Sequence, residues 1–219
     1  MRTGLEIAAV CFDLDGTLVD SEGEAADAIE LALAPLSRSL SAKERDFVVG
    51  HGFGEIFAFI KAGGGVPWSA AEFEEAVYQA RLVLFARNGA GELPGAREVV
   101  RRISSRWRCA LVTGSTRPEA KLMLDALGVS DCFAVTLCAG EYPHGKPSPE
   151  PYLQAAVALG VRPEHCVAIE DSTAGIASAR TAGMQCIGVR IGNRYGQDQS
   201  YAHHVVETLF EAEALLLGS

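Results

Sequence analysis

The sequence predicts an α/β protein, a parallel sheet with helices on both faces, carrying an all-helical subdomain inserted after its first strand. Three observations carry this expectation. Short apolar runs rich in β-branched residues alternate with helical patterns, as they do in sheets built from βα units. Polar and acidic clusters stand at the ends of those runs. The stretch from about Ser21 to Arg87 breaks the alternation, with amphipathic helical patterns and no strand.

Strands are expected at residues 7–12, 109–113, 133–137, 166–169 and 186–189, each a short apolar run bounded by polar or glycine-containing segments. Helices are expected at 94–105, 117–127, 149–159 and 173–182, and Gly128, Gly160 and Gly183 stand just past three of their ends as stop signals. Within the insertion, Phe53, Ile56, Phe57 and Ile60, then Phe73, Val77 and Leu84, recur at helical spacing. Hinges are expected at 18–22 and at the glycine-rich 88–95, so the α/β core comprises 1–18 with 89–219 and the inserted helical subdomain 19–88. Internal repeats and low-complexity tracts are absent from the sequence.

With 219 residues and 48% hydrophobic composition, the chain can bury a substantial core. Its net charge of −9 comes without a stripe of Lys and Arg, which argues against a nucleic-acid footprint and leaves any anionic ligand to local groups. Six cysteines lie scattered without CxxC pairs, several inside apolar runs, the usage expected of buried thiols in a reducing cytoplasm. No secretory leader and no apolar run long enough to span a bilayer is found, so a soluble cytoplasmic protein with no membrane partner is expected. A monomer is expected, with a dimer as the alternative.

The most informative segment is Asp13-Leu14-Asp15-Gly16-Thr17, where the first apolar run breaks. If the chain is still extended at Asp13, the side chains of Asp13 and Asp15 point to one side. Two carboxyl groups that close raise each other's pKa unless a cation neutralises them, so the pair implies a shared proton or a bound metal, the metal being preferred. The competing explanation is a solvated acidic turn. Thr113-Gly114-Ser115 closes the second strand, where a hydroxyl and glycine-exposed N–H groups can grip an anion or merely cap the next helix. The loop Gly145-Lys146-Pro147-Ser148-Pro149 pins Lys146 in one direction, as suits an anion, although surface lysines in such loops are common. Glu170-Asp171 repeats the acidic strand end, and capping by Asp171 or Ser172 leaves Glu170 unexplained. Hard oxygen ligands without an accompanying His or Cys set favour Mg²⁺ over zinc.

Taken in order, Asp-x-Asp-Gly-Thr, Thr113, Lys146-Pro147 and Glu170-Asp171 resemble the haloacid dehalogenase superfamily of phosphohydrolases, specifically its β-phosphoglucomutase and sugar-phosphate phosphatase-like subgroup with a helical cap. The resemblance spans nearly the whole chain and implies a Rossmann-like core. It also implies Asp13 as nucleophile, Asp15 as general acid and base, and Thr113, Gly114 and Lys146 as phosphate-binding groups. Asp13, Asp171, the Asp15 main-chain carbonyl and Glu170, directly or through water, would hold Mg²⁺. The implied activity is Mg²⁺-dependent hydrolysis of a small phosphorylated metabolite, a sugar phosphate first, through an aspartyl-phosphate. Alternatives are a β-phosphoglucomutase-type mutase, a phosphoglycolate phosphatase and a non-catalytic phospho-ligand binding module. His51 and Gly52 in the cap loop are candidate substrate contacts, and no arginine of the kind mutases carry follows within that loop, which leaves Lys61, Arg45 or Arg81 of the other cap helices to supply such a charge. Asp15 argues against dehalogenation, because the dehalogenases it resembles lack a second acid there.

Overall fold

The computed structural model describes residues 6–48, 51, 53–89, 91–193 and 196–218. The chain divides into two compact units, Met1–Asp20 with Glu92–Ser219, and Ser21–Gly91. In chain order, β1 (Ala9–Phe12) is followed by α1 (Ser21–Leu33), α2 (Ala42–Val48), α3 (Phe53–Ala62) and α4 (Ala70–Asn88). The chain continues with α5 (Ala96–Ser104), β2 (Arg108–Val112), α6 (Arg117–Leu127), β3 (Val135–Leu137), α7 (Glu150–Leu159) and β4 (Cys166–Glu170). It closes with α8 (Thr173–Thr181), β5 (Gln185–Val189), β6 (His204–Val206) and α9 (Leu209–Leu217).

The six strands form one sheet in the order β3-β2-β1-β4-β5-β6, and every neighbouring pair is parallel. This is the Rossmann-like order. The chain builds outward from β1 through β2 and β3, then crosses back to β4, so the β1/β4 pair is the switch point where ligands gather at the strand ends. Every residue of β1 and β4 is buried, as befits central strands of a sheet covered on both faces. On one face, Ala9, Cys11, Ala110, Cys166 and Ala168 present small side chains against Tyr152 and Leu159 of α7 and Ile176 of α8. Complete burial of Leu159 or Ile176 stabilises the fold by about 1.5–3 kcal/mol each. All six cysteines are free and five are buried. Among the described residues, no helix is long and apolar enough to cross a membrane.

The unit of residues 21–91 is all helix around its own core. Phe73 is fully buried, with Phe53, Phe57 and Trp68 tilted against its ring at 5.3–6.4 Å, and Ile56, Ile60 and Val77 complete the cluster. Ser69 and Glu72 cap α4 reciprocally: the Ser69 N–H donates to Glu72 Oε2 at 2.8 Å and the Glu72 N–H to Ser69 Oγ at 3.3 Å.

Two elements go beyond the sequence expectation, β6 and α9. β6 is three residues long and begins with a histidine, which gives no alternation to detect. His203, just before β6, accepts the Cys186 N–H on Nδ1 at 3.0 Å. α9 was signalled by Thr208 and Glu211 before an apolar run, since Thr208 Oγ1 accepts the Glu211 N–H at 3.2 Å. Arg102 of α5 then grips Glu213 of α9 with two nitrogens, at 2.7 and 2.5 Å.

The turn after β1 is packed tightly from behind. A Cβ built on Gly192 would lie 1.9 Å from the carbonyl oxygen of Gly16, a backbone atom that cannot swing aside. Gly192→Ala is therefore expected to lower stability by about 1–3 kcal/mol, read as a lower urea midpoint with an unchanged slope.

Candidate active site

The site stands at the carboxyl ends of β1, β2 and β4, and its residues all belong to the core unit. Asp13 continues β1, its N–H donating to the Ile169 carbonyl at 3.0 Å. The chain then folds into a turn in which the Leu14 carbonyl accepts the N–H groups of Thr17, Leu18 and Val19 at 3.3, 2.8 and 3.1 Å. Gly16 enters this turn at φ +79°.

Lys146 is the centre of the site. Its ammonium donates to Asp13 Oδ1 at 2.6 Å, to Glu170 Oε1 at 2.6 Å and to the Val112 carbonyl at 2.9 Å, which engages all three of its protons. The Lys146–Pro147 peptide bond is cis. Burial works against the Lys146 charge, but Asp13 and Glu170 more than offset it and hold the ammonium above the ordinary lysine range. Burial raises the Asp13 carboxyl from 3.8 to about 7, with Lys146 opposing the rise and the charges of Glu170 and Asp15 adding to it.

Glu170 is fully buried and saturated with donors. Oε1 accepts from Lys146 and from the Tyr152 hydroxyl at 2.9 Å, and Oε2 from the Asp171 N–H, the Ser172 N–H and the Ser172 hydroxyl at 3.1, 3.2 and 3.0 Å. A carboxylate offers about four lone-pair sites, so Glu170 is occupied in holding Lys146 and its own loop. Gly175 makes room for it: a Cβ there would stand 1.8 Å from Glu170 Oε1. The cap of α8 is Ser172, which accepts the Gly175 N–H at 3.0 Å, and Asp171 is thereby released from capping. Asp171 is buried beside the first turn, with the Thr17 hydroxyl 3.4 Å from Oδ1 and the Gln199 amide donating to its carbonyl at 2.6 Å.

Asp15 faces β2. Its Oδ2 accepts from the Thr113 hydroxyl at 3.0 Å and from the Ser115 hydroxyl at 2.7 Å. The cap of α6 is Thr116, whose N–H donates to Glu119 Oε2 at 3.0 Å, so Thr113-Gly114-Ser115 does not serve as the helix cap. Gly114 is exposed, with open space on the side a Cβ would take. The Tyr142 hydroxyl donates to the Thr113 carbonyl at 2.8 Å and braces this turn from the loop that leads to Lys146.

Asp13, Thr113, Lys146, Glu170 and Asp171 are thus brought together, with Asp15 beside them. Carboxylate oxygens of Asp13, Glu170 and Asp171 lie within 4.8 Å of one another, and all three residues are buried. Three buried carboxyl groups face one ammonium, and this excess of negative charge on hard oxygen donors fits a divalent cation. The Asp15 carboxylate stands outside that group, and the contribution expected of Asp15 was its main-chain carbonyl. His51 lies in the helical unit, stacked on Phe47 with ring centroids 3.9 Å apart, and Gly52 lies outside the described residues. Of the three cap cations Arg45, Lys61 and Arg81, the first two are engaged as follows within the helical unit: Arg45 pairs with Asp27 and Glu30, and Lys61 donates to the Trp68 carbonyl at 2.6 Å. Tyr152, Tyr142 and Gln199 carry no sequence expectation, and Ser115 enters only as part of the turn after β2, without its contact to Asp15. Tyr152 has a legible signal in its place directly after Pro-Glu-Pro on an apolar helix face, while the others are assembled by distant segments.

A sequence profile of haloacid dehalogenase-like hydrolases matches residues 7–183. The chain is 28% identical over 200 residues to the phosphoglycolate phosphatase of Photorhabdus laumondii, covering 87% of this chain and 83% of that protein. It is 30% identical over 201 residues to protein CbbY of Rhodobacter capsulatus, covering 84% and 85%. A CbbY mutant from Rhodobacter sphaeroides, solved in complex with xylulose 1,5-bisphosphate, superposes with a TM-score of 0.82 at 25% identity over 94% of this chain and 96% of that one.

Removing the ammonium leaves two buried acids without their cation. Lys146→Met is expected to destabilise the chelated protein by about 3–5 kcal/mol in urea unfolding. Asp13 also sets a pH dependence in EDTA. Its folded-state pKa is raised, so the folded protein binds the extra proton between 3.8 and about 7 and the stability this provides is lost as pH rises through that window. The difference in Tm between the wild type and Asp13→Asn should fall over that range and level off above it. A difference independent of pH would contradict the assignment.

Proposed function

The chain belongs to the haloacid dehalogenase-like hydrolase family, and from that membership we propose that it is a Mg²⁺-dependent phosphatase that cleaves a small phosphorylated metabolite, a sugar phosphate first, through an aspartyl-phosphate on Asp13. The observation that carries the proposal is the meeting of Asp13, Lys146 and Asp171 at the β1/β4 switch point, beside an Asp15 held by two hydroxyls.

Lys146 fixes the Asp13 carboxylate through Oδ1 and lowers the repulsion that an approaching phosphate meets. An Asp13 oxygen attacks phosphorus while the ester P–O bond breaks, and Asp15 gives its proton to the departing alkoxide. Asp15, now ionised, takes a proton from water as the water oxygen attacks the phosphorus, which frees phosphate and restores Asp13. Thr113, the Gly114 N–H and the Lys146 charge stabilise the equatorial oxygens. Mg²⁺ would be held by Asp13, Asp171 and the Asp15 main-chain carbonyl, with Glu170 contributing through water, and would supply positive charge against the paired acids and the phosphate.

Relatives named for phosphoglycolate and for a complex with xylulose 1,5-bisphosphate support a small organic phosphate as substrate. The engagement of Arg45 and Lys61, two of the three cap cations considered for it, within the helical unit supports hydrolysis over a mutase, which must hold a second phosphate. The test is phosphate release from a panel of sugar phosphates, phosphoglycolate and p-nitrophenyl phosphate. Release is expected with Mg²⁺, is abolished by EDTA, and falls at least about 10³-fold in a folded Asp13→Asn protein. Release that persists in that variant would overturn the nucleophile assignment.

A further inference from the structure

Both hydroxyls that hold Asp15 reach the same oxygen, Oδ2, at 3.0 Å from Thr113 and 2.7 Å from Ser115. A hydroxyl carries one proton, so Thr113 cannot donate to Asp15 and to a phosphate oxygen at once. Ser115 carries no such second duty. Its backbone is fixed on both sides, the N–H donating to Thr113 Oγ1 at 2.9 Å and the carbonyl accepting the Ala139 N–H at 3.0 Å. Ser115 is also relieved of capping α6, because Thr116 does that.

We propose that Ser115 is the positioning residue of the general acid: it keeps Oδ2 of Asp15 hydrogen-bonded when Thr113 turns its proton to the phosphate, leaving Oδ1 to carry the proton that the leaving alkoxide takes. The inference rests on the phosphatase activity proposed above and adds a residue to it. In the first step the P–O bond to the leaving group breaks, the bond from phosphorus to Asp13 forms, and the Asp15 Oδ1 proton moves to the alkoxide oxygen. An alkyl leaving group needs that proton, whereas p-nitrophenolate departs without it. Loss of Ser115 must therefore discriminate between leaving groups, which a loss of folding or of general packing does not.

The experiment compares kcat/KM, which reports the first irreversible step, for phosphoglycolate or the best sugar phosphate of the panel and for p-nitrophenyl phosphate. Ser115→Ala is expected to lower the alkyl value by about 10- to 100-fold and the aryl value by less than about 3-fold, a selectivity that Asp15→Asn should show more strongly. The pair Ser115→Thr and Ser115→Val has equal bulk and differs in the hydroxyl. The threonine variant should keep the wild-type ratio and the valine variant should lose it, which holds bulk constant if alanine fails to fold. Equal losses on both substrates, or no loss on either, would overturn the role of Ser115 while leaving the phosphatase intact. Phosphate release from neither substrate by the wild type would overturn the phosphatase activity itself.

Discussion

A single ammonium organises this molecule's chemistry. Lys146 reaches Asp13 at the end of β1, the Val112 carbonyl at the end of β2 and Glu170 at the end of β4, and so ties together three strands whose residues are far apart in the chain. A buried ion pair of this kind adds little net stability, since desolvation offsets the attraction, but removal of one partner is severely destabilising. Its value lies in direction. Three acceptors fix the ammonium, and the ammonium fixes the Asp13 carboxylate.

The surrounding structure exists to tolerate that cluster. Three buried acids against one base leave negative charge that the core's apolar burial must offset until a cation or a protonated Asp13 relieves it. Glu170 is made tolerable by five donors, one of them from fully buried Tyr152, and by the absence of a side chain at Gly175. The turn bearing Asp15 is pressed from behind by Gly192. Function and fold thus compete at these positions, and small residues in close backbone packing settle the competition.

Much of this was legible because strand-end chemistry is local. Asp13 and Asp15, Thr113, Lys146 and Glu170-Asp171 each follow an apolar run, and a parallel sheet brings all such ends to one edge. What sequence could not supply were contacts made across the fold. Ser115 meets Asp15 from 100 residues away, and Gln199 meets the Asp171 carbonyl across 28, from a segment with no periodicity. β6 escaped notice because it is three residues long and shows no apolar alternation. α9, by contrast, carries a legible local signal, the Thr208…Glu211 cap ahead of its apolar run. Even the separation of duties at the two helix entries, Thr116 capping α6 and Ser172 capping α8, is not dictated locally, because several residues in each stretch are chemically eligible.

The central claim is that Asp13, oriented by Lys146, becomes phosphorylated. It is tested most directly by mixing the enzyme with substrate and Mg²⁺, quenching in acid within the first turnover, reducing the acyl phosphate with borohydride, and mapping the product by mass spectrometry. Reduction at position 13, absent from Asp13→Asn and from the chelated enzyme, is the expected result. Reduction at another residue, or phosphate release in the burst with position 13 unmodified, would contradict it.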